Sequence, residues 1–228
     1  MPETHDFMPS TIDHLKRIAV MAFDRLSRHQ TWRQPLFFFD AAGKRLHISP
    51  KPLSYTPLGS YPEDALTHMP RETRRIVFHD LVPMDTYLND ITGARLQMLH
   101  RRALMEIAKK IPSWRIKNLF YRRLMVGIPN WKTTIIAPNV FVDYIYPQLI
   151  ESIGANTFIG EEAMILTHFA YPDRMEIGPV SIGSNCLIGI RSLIGPGVTI
   201  GDHATIGAYA VVTRDVPSGA TLFGPKSG

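Results

Sequence analysis

Ile182-Gly183-Ser184-Asn185-Cys186-Leu187-Ile188-Gly189-Ile190-Arg191-Ser192-Leu193-Ile194-Gly195 opens a run in which an aliphatic residue recurs at every sixth position: Ile182, Ile188, Ile194, Ile200, Ile206, Val212. Glycine follows each isoleucine (Gly183, Gly189, Gly195, Gly201, Gly207), and the fourth place after it is small or slim: Cys186, Ser192, Val198, Ala204, Ala210. An earlier block, Ile153-Gly154, Ile159-Gly160 and Ile165, obeys the same rule, with Thr157 and Ala163 in the small place. A period of six fits neither a helix nor a lone strand, so it is a sequence repeat. Each unit supplies one short strand and one tight corner, and three units close a triangular coil. The aliphatic residues point inward and stack on their counterparts one strand spacing away, about 4.8 Å. Glycine is expected to take the unusual backbone angles where the chain leaves each flat face. Such a solenoid is held by nearest-neighbour stacking and needs caps at its ends. The expected fold class is a mainly β solenoid, a parallel β-helix of hexapeptide repeats preceded by a mostly helical N-terminal region.

The 228 residues suit one large or two small domains, with no apolar run long enough to span a membrane. The start, Met1 to Asp6, has no cationic segment and does not read as a secretory signal. The single cysteine, Cys186, occupies an inward repeat position and fits a reducing compartment, so a cytoplasmic location is expected. Three regions are expected: an accessory mixed α/β region over 1–92, a basic helical cap over 93–133, and the β-helix over 134–228.

Between Arg95 and Lys132 ten Lys or Arg residues stand against one acid, Glu106. The stretch from Arg95 to Met125 reads as two helices broken near Ile111-Pro112-Ser113. Their basic face has two readings: a solvated face on a cap over the solenoid end, or contact with an anionic partner or membrane surface. No nucleic-acid-binding motif accompanies the charge. Earlier in the chain, Thr11 to Arg28 has helical periodicity, Leu36 to Phe39 reads as a strand returning through Arg45 to Ser49, and Pro50 to Pro62 reads as a loop.

The two repeat blocks do not join in register. After Ile165-Leu166-Thr167-His168, residues from Phe169 to Val180 leave the prism as an expected loop, and insertions in a solenoid gather on a face that often binds ligand. The order Ile-Gly, Thr167-His168, an excursion, then Ser181 to Gly189, closing with Gly207-Ala208-Tyr209-Ala210-Val211-Val212-Thr213-Arg214-Asp215-Val216-Pro217, resembles the hexapeptide-repeat acetyltransferases of the maltose, galactoside and nodulation type. The resemblance implies the left-handed form of the β-helix. It also implies a homotrimer with acetyl-CoA as cosubstrate and acetyl transfer to a hydroxyl of a small saccharide-like acceptor, an amine being the second choice.

Carried residue by residue, the resemblance makes His168 the general base, the backbone N–H of Ile190 the oxyanion donor, and Ala208, Thr213 and Arg214 coenzyme contacts. Asp143 is expected to bind the acceptor, with orientation of the base as its other role. A neutral imidazole suits the first task, because it can take a hydroxyl proton at neutral pH. The chain departs from the family in carrying Leu187 where an aromatic residue is common, and in its tail, Phe223 to Gly228. No metal is expected, because the repeat offers only His168 and His203 without ligand spacing. A noncatalytic scaffold that keeps the solenoid for assembly or docking is the rival reading.

Overall fold

The computed structural model describes residues 11–26, 36–40, 42, 44–49, 69, 71–79 and 95–224. The expected loop over Pro50 to Pro62 and the tail from Pro225 to Gly228 lie outside them. Helix α1 (Thr11–Leu26) is followed by strands β1 (Leu36–Asp40), β2 (Arg45–Ser49) and β3 (Arg75–His79), then helices α2 (Arg95–Lys110) and α3 (Trp114–Arg123). The solenoid begins with β4 (Ile135–Ile136), β5 (Phe141–Val142), β6 (Ile150–Ile153), β7 (Phe158–Ile159) and β8 (Met164–Ile165). After β9 (His168–Ala170) and β10 (Arg174–Ile177) it resumes with β11 (Val180–Ile182), β12 (Leu187–Ile188), β13 (Leu193–Ile194), β14 (Thr199–Ile200), β15 (Thr205–Ile206), β16 (Val211–Val212) and β17 (Thr221–Leu222).

The short strands stack in parallel columns that form the faces of a prism. The first face is β6-β11-β14, the second β4-β7-β12-β15-β17, the third β5-β8-β13-β16. The register follows the hexad: Ile136, Ile159, Ile188, Ile206 and Leu222 lie one above another, as do Val142, Ile165, Ile194 and Val212. The repeat isoleucines are buried, and so are Thr157, Ala163, Cys186, Ser192, Val198, Ala204 and Ala210 at the small place. Cys186 is a free thiol held inside, as its repeat position requires.

Glycine does a different job from the one expected. The left-handed backbone angles fall two residues later, at Asn156, Glu162, Asn185, Arg191, His203 and Tyr209, with φ between 53° and 60°. Gly197 and Gly219 occupy the same slot, each at φ 72°. The glycine after each isoleucine is required by close approach instead. A β-carbon on Gly189 would lie 2.4 Å from the Ala208 nitrogen, and one on Gly154 would lie 2.5 Å from the Gly183 carbonyl carbon. The next coil's backbone fills the space a side chain needs, except at Gly195, where the Phe169 ring fills it.

Helices α2 and α3 close the solenoid's first end, with Met105, Ala108 and Tyr121 joining its core. The first coil has no coil before it to donate to its carbonyls, and α3 supplies side-chain donors. Lys117 Nζ donates to Ala137 O at 2.8 Å, Asn118 Nδ2 to Thr134 O at 2.8 Å, and Tyr121 OH to Val140 O at 3.0 Å. All three side chains are buried, where an unsatisfied carbonyl would be costly.

The excursion from the prism is a hairpin, not a loop. β9 and β10 pair antiparallel, and β3 adds antiparallel to β10, giving the sheet order β1-β2-β3-β10-β9. The accessory region therefore extends a sheet that grows out of the solenoid. One side of this sheet carries Leu46, Ile48, Ile76, Phe78, Met175 and Ile177 into a second core beneath α1. Helix α1 meets it with Leu15, Ile18, Ala19 and Ala22, a single stripe at helical spacing.

Gly189→Ala is expected to destabilise the fold by about 3 kcal/mol, the upper range for overpacking against atoms that cannot yield. Gly219→Ala, with nothing within 4 Å of the new carbon, meets only its backbone angle and should cost about 1 kcal/mol. Urea denaturation of the two variants checks the contrast. By the same measurement, Tyr121→Phe should cost about 1–3 kcal/mol by stranding the Val140 carbonyl.

Candidate active site

Asp143 directly follows β5 and His168 directly follows the Thr167 beyond β8, one coil further on. Both lie at the corner between the third and first faces, and stacking of the coils brings them together. His168 Nδ1 lies 2.5 Å from Asp143 Oδ2. The same carboxylate oxygen accepts from the Thr167 backbone N–H at 3.0 Å and the Thr167 hydroxyl at 2.7 Å, while Oδ1 accepts from the Ile145 N–H at 2.8 Å. Asp143 is only 1% exposed. Burial pushes its carboxyl upward, but the donors from His168, Thr167 and Ile145 prevail and hold it below the usual carboxylate range.

A carboxylate at Nδ1 fixes the tautomer. In the neutral ring the proton sits on Nδ1, and Nε2 carries the lone pair. The Tyr146 ring meets the imidazole edge-on at 6.0 Å, and His168 pairs with Ile177 across the β9–β10 hairpin. The ring is thus held by the solenoid beneath it and by the sheet beside it.

That sheet reaches further around the same corner. Arg75 on β3 donates through Nη2 to the Thr213 carbonyl, and its Nη1 lies 3.7 Å from Glu176 Oε2 on β10. Its stem lies against Gly197, where any β-carbon would strike it. Arg75 thereby ties the hairpin that starts at His168 to the Thr213-Arg214 turn. Thr213 and Arg214, both exposed, line a concave surface of about 440 Å³ with Asp215, Pro217, Thr221 and Leu222.

Ile190 and Ala208 lie elsewhere, at the corner between the second and third faces. There Tyr209 N donates to Ile190 O at 2.9 Å, and Arg191 bridges Glu162 at 2.5 Å and the Tyr209 hydroxyl at 2.9 Å. One copy of the chain therefore gathers Asp143, His168, Thr213 and Arg214 on one edge and puts Ile190 and Ala208 on another. His203 is an exposed corner residue at φ 60°, remote in register from both sets.

The model for the family "Bacterial transferase hexapeptide (six repeats)" matches residues 179–214. The chain is also 38% identical over 132 residues to "Putative acetyltransferase YvoF" of Bacillus subtilis (strain 168), covering 57% of this chain and 74% of that protein. The chain belongs to the hexapeptide-repeat acetyltransferase family. Its solenoid is accordingly the left-handed β-helix. Among solved structures, a maltose O-acetyltransferase from Clostridium difficile 630 is 23% identical, with 60% of this chain and 86% of that one covered at a TM-score of 0.45. A hexapeptide-repeat acetyltransferase of Vibrio cholerae O1 biovar eltor, solved with acetyl-coenzyme A, is 20% identical over 58% of this chain and 86% of that one, with a TM-score of 0.41.

For this family member the sequence pointed to His168 but missed three residues around it. Thr167 was visible beside the histidine, and its hydroxyl and N–H both serve Asp143. Arg75 and Glu176 left no local signal, because their roles arise from the pairing of β3 with β10. Asp143, expected to bind the acceptor or to orient the base, lies buried beneath the imidazole with both oxygens accepting hydrogen bonds.

Because the folded-state pKa of Asp143 is depressed, its stabilising contribution is complete above about pH 4, the ordinary carboxylate value. The contribution disappears as pH falls through the lower folded value. Asp143→Asn is therefore expected to be less stable than the natural chain at pH 7, with the gap narrowing as pH falls below about 4. Denaturant titrations of both proteins across this range test it.

Proposed function

We propose that the protein is a homotrimeric O-acetyltransferase that moves acetyl from acetyl-CoA to a hydroxyl of a small saccharide-like acceptor. The observation that carries this reading is the Asp143–His168 pair, an oriented imidazole at the edge of a solenoid whose family is that of acetyltransferases. His168 Nε2 takes the proton of the acceptor hydroxyl as its oxygen attacks the thioester carbonyl. The tetrahedral oxyanion accepts a hydrogen bond from the Ile190 N–H. Collapse breaks the carbon–sulfur bond, and the departing thiolate takes the proton back from the imidazolium. Asp143 positions the ring and stabilises its charged form between these steps, so no covalent enzyme intermediate is needed.

The division of the site residues between two edges supports a shared site, with the His168 edge of one copy facing the Ile190 and Ala208 edge of the next. Exposed apolar side chains flank the latter edge: Phe158 and Leu187 on the second face, Met164 and Val211 on the third, with Ile190 and Tyr209 between them. Exposed apolar side chains gathered on neighbouring faces favour association. Coenzyme A would lie along the groove between copies, with Arg214 available to a phosphate and small Ala208 allowing close approach.

Titration calorimetry with acetyl-CoA tests the reading without knowledge of the acceptor. Binding by the natural chain and its loss in Ala208→Trp are expected, while absence of binding would favour the scaffold. In a screen of sugars, His168→Ala should retain coenzyme affinity and lose about 10²–10⁴-fold in kcat. Light scattering should return three chains for the natural protein and a smaller mass for Leu187→Glu.

A further inference from the structure

A helix whose only task is to cap a solenoid buries one face and turns charged residues to water. Helices α2 and α3 do not follow that pattern. On α2 the residues turned away from the core include Leu99, Ala103 and Ile107, a stripe at i, i+4 and i+8, with Leu99 62% and Ile107 51% exposed. On α3 the outer face carries Ile116, 51% exposed, and Leu119, and the following Met125 is 59% exposed. Cations surround these side chains: Arg102 and Lys110 on α2, Arg115, Arg122 and Arg123 on α3. All five are exposed, and no ion pair joins them to a described residue. Three other cations of this stretch are committed inward or locally: Arg101 donates to the Ile145 carbonyl, Lys117 to the Ala137 carbonyl, and Lys109 pairs with Glu106, while Lys132 is exposed beside Trp131.

Apolar side chains ringed by unpaired cations are the signature of a helix lying in a membrane interface. The aliphatic groups enter the acyl boundary while the cations stay at the anionic headgroups. Partly buried Trp114 and Trp131 stand among these cations, with the Arg115 guanidinium 5.0 Å from the Trp114 ring and Lys132 5.7 Å from that of Trp131. Indole rings favour the same depth. A second copy of this face would set like charges against each other. A nucleic-acid backbone would meet the cations and leave the protruding aliphatic groups in water.

We propose that the outer face of the helical cap docks the protein on an anionic lipid surface. The cap thus serves at once as the lid of the solenoid and as its membrane contact. This inference does not depend on the acetyltransferase reading, since no residue of the candidate site takes part.

The test is co-sedimentation of the full chain with vesicles of phosphatidylcholine, alone or mixed with phosphatidylglycerol. Binding to the mixed vesicles is expected to exceed binding to the neutral ones by about tenfold or more and to weaken with salt. Reversing Arg115, Arg122 and Arg123 to Glu should lower partitioning about a hundredfold, at roughly fivefold for each cation. Leu99→Ser with Ile107→Ser should weaken what binding persists at high salt. Thermal melts of these surface variants should match the natural chain, so that loss of binding is not loss of fold. Failure to bind mixed vesicles, or binding indifferent to the charge reversals, overturns the proposal. So does a fall in mass on light scattering for the serine variants, which would make the face a contact between copies.

Discussion

Successive coils of this chain meet backbone against backbone at most of the glycines that follow the repeat isoleucines. That contact lets the coils stack at one strand spacing, and most of the structure depends on it. A carboxylate and an imidazole 25 residues apart in sequence come within 2.5 Å because one coil lies directly on the next. The interior is correspondingly narrow, which is why the inward places alternate between an aliphatic residue and something no larger than valine. The corners absorb the geometric cost: asparagine, glutamate, arginine, histidine and tyrosine all accept left-handed backbone there. An isolated residue in that conformation is strained by about 1–2 kcal/mol, and only the ladder on both sides holds so many of them.

The ends of such a stack cannot satisfy themselves, and the chain treats its first end with unusual chemistry. A buried lysine, asparagine and tyrosine from one helix take the place of the missing coil's N–H groups. Burial lowers the pKa of Lys117 and raises that of Tyr121, so each is pushed toward its neutral form while its polar head still donates to a carbonyl. The basic character of this region, read along the sequence as one feature, is therefore two. Some cations finish the fold, and others face outward beside exposed aliphatic side chains.

The hexad was legible because it imposes a strict spacing that no other constraint competes with. Period, inward residues and the small place all followed from Ile182 to Val212 alone. The function assigned to glycine did not follow, because a missing side chain can mean freedom of angle or proximity of a neighbour, and only coordinates distinguish them. His168 stood out by its place at the break in the repeat. What the sequence could not display was pairing over long separations. The excursion from Phe169 to Val180 lacks the length and pattern of independent strands; it becomes a hairpin because β3 supplies its other edge. Arg75 is invisible for the same reason, since nothing around it marks the contact with Thr213.

The pairing of β3 with β10 has a temporal side as well. Ile76 finds its partner at Ile177, about 100 residues later in the chain. At a synthesis rate of about 5–20 residues per second, β3 is made roughly 5–20 s before the strand that covers it. Until then β3 lacks the strand that pairs with its second edge, and an unpaired strand edge is open to wrong partners. The sheet beside His168 can therefore close only once β10, beyond the repeat's break, has been made.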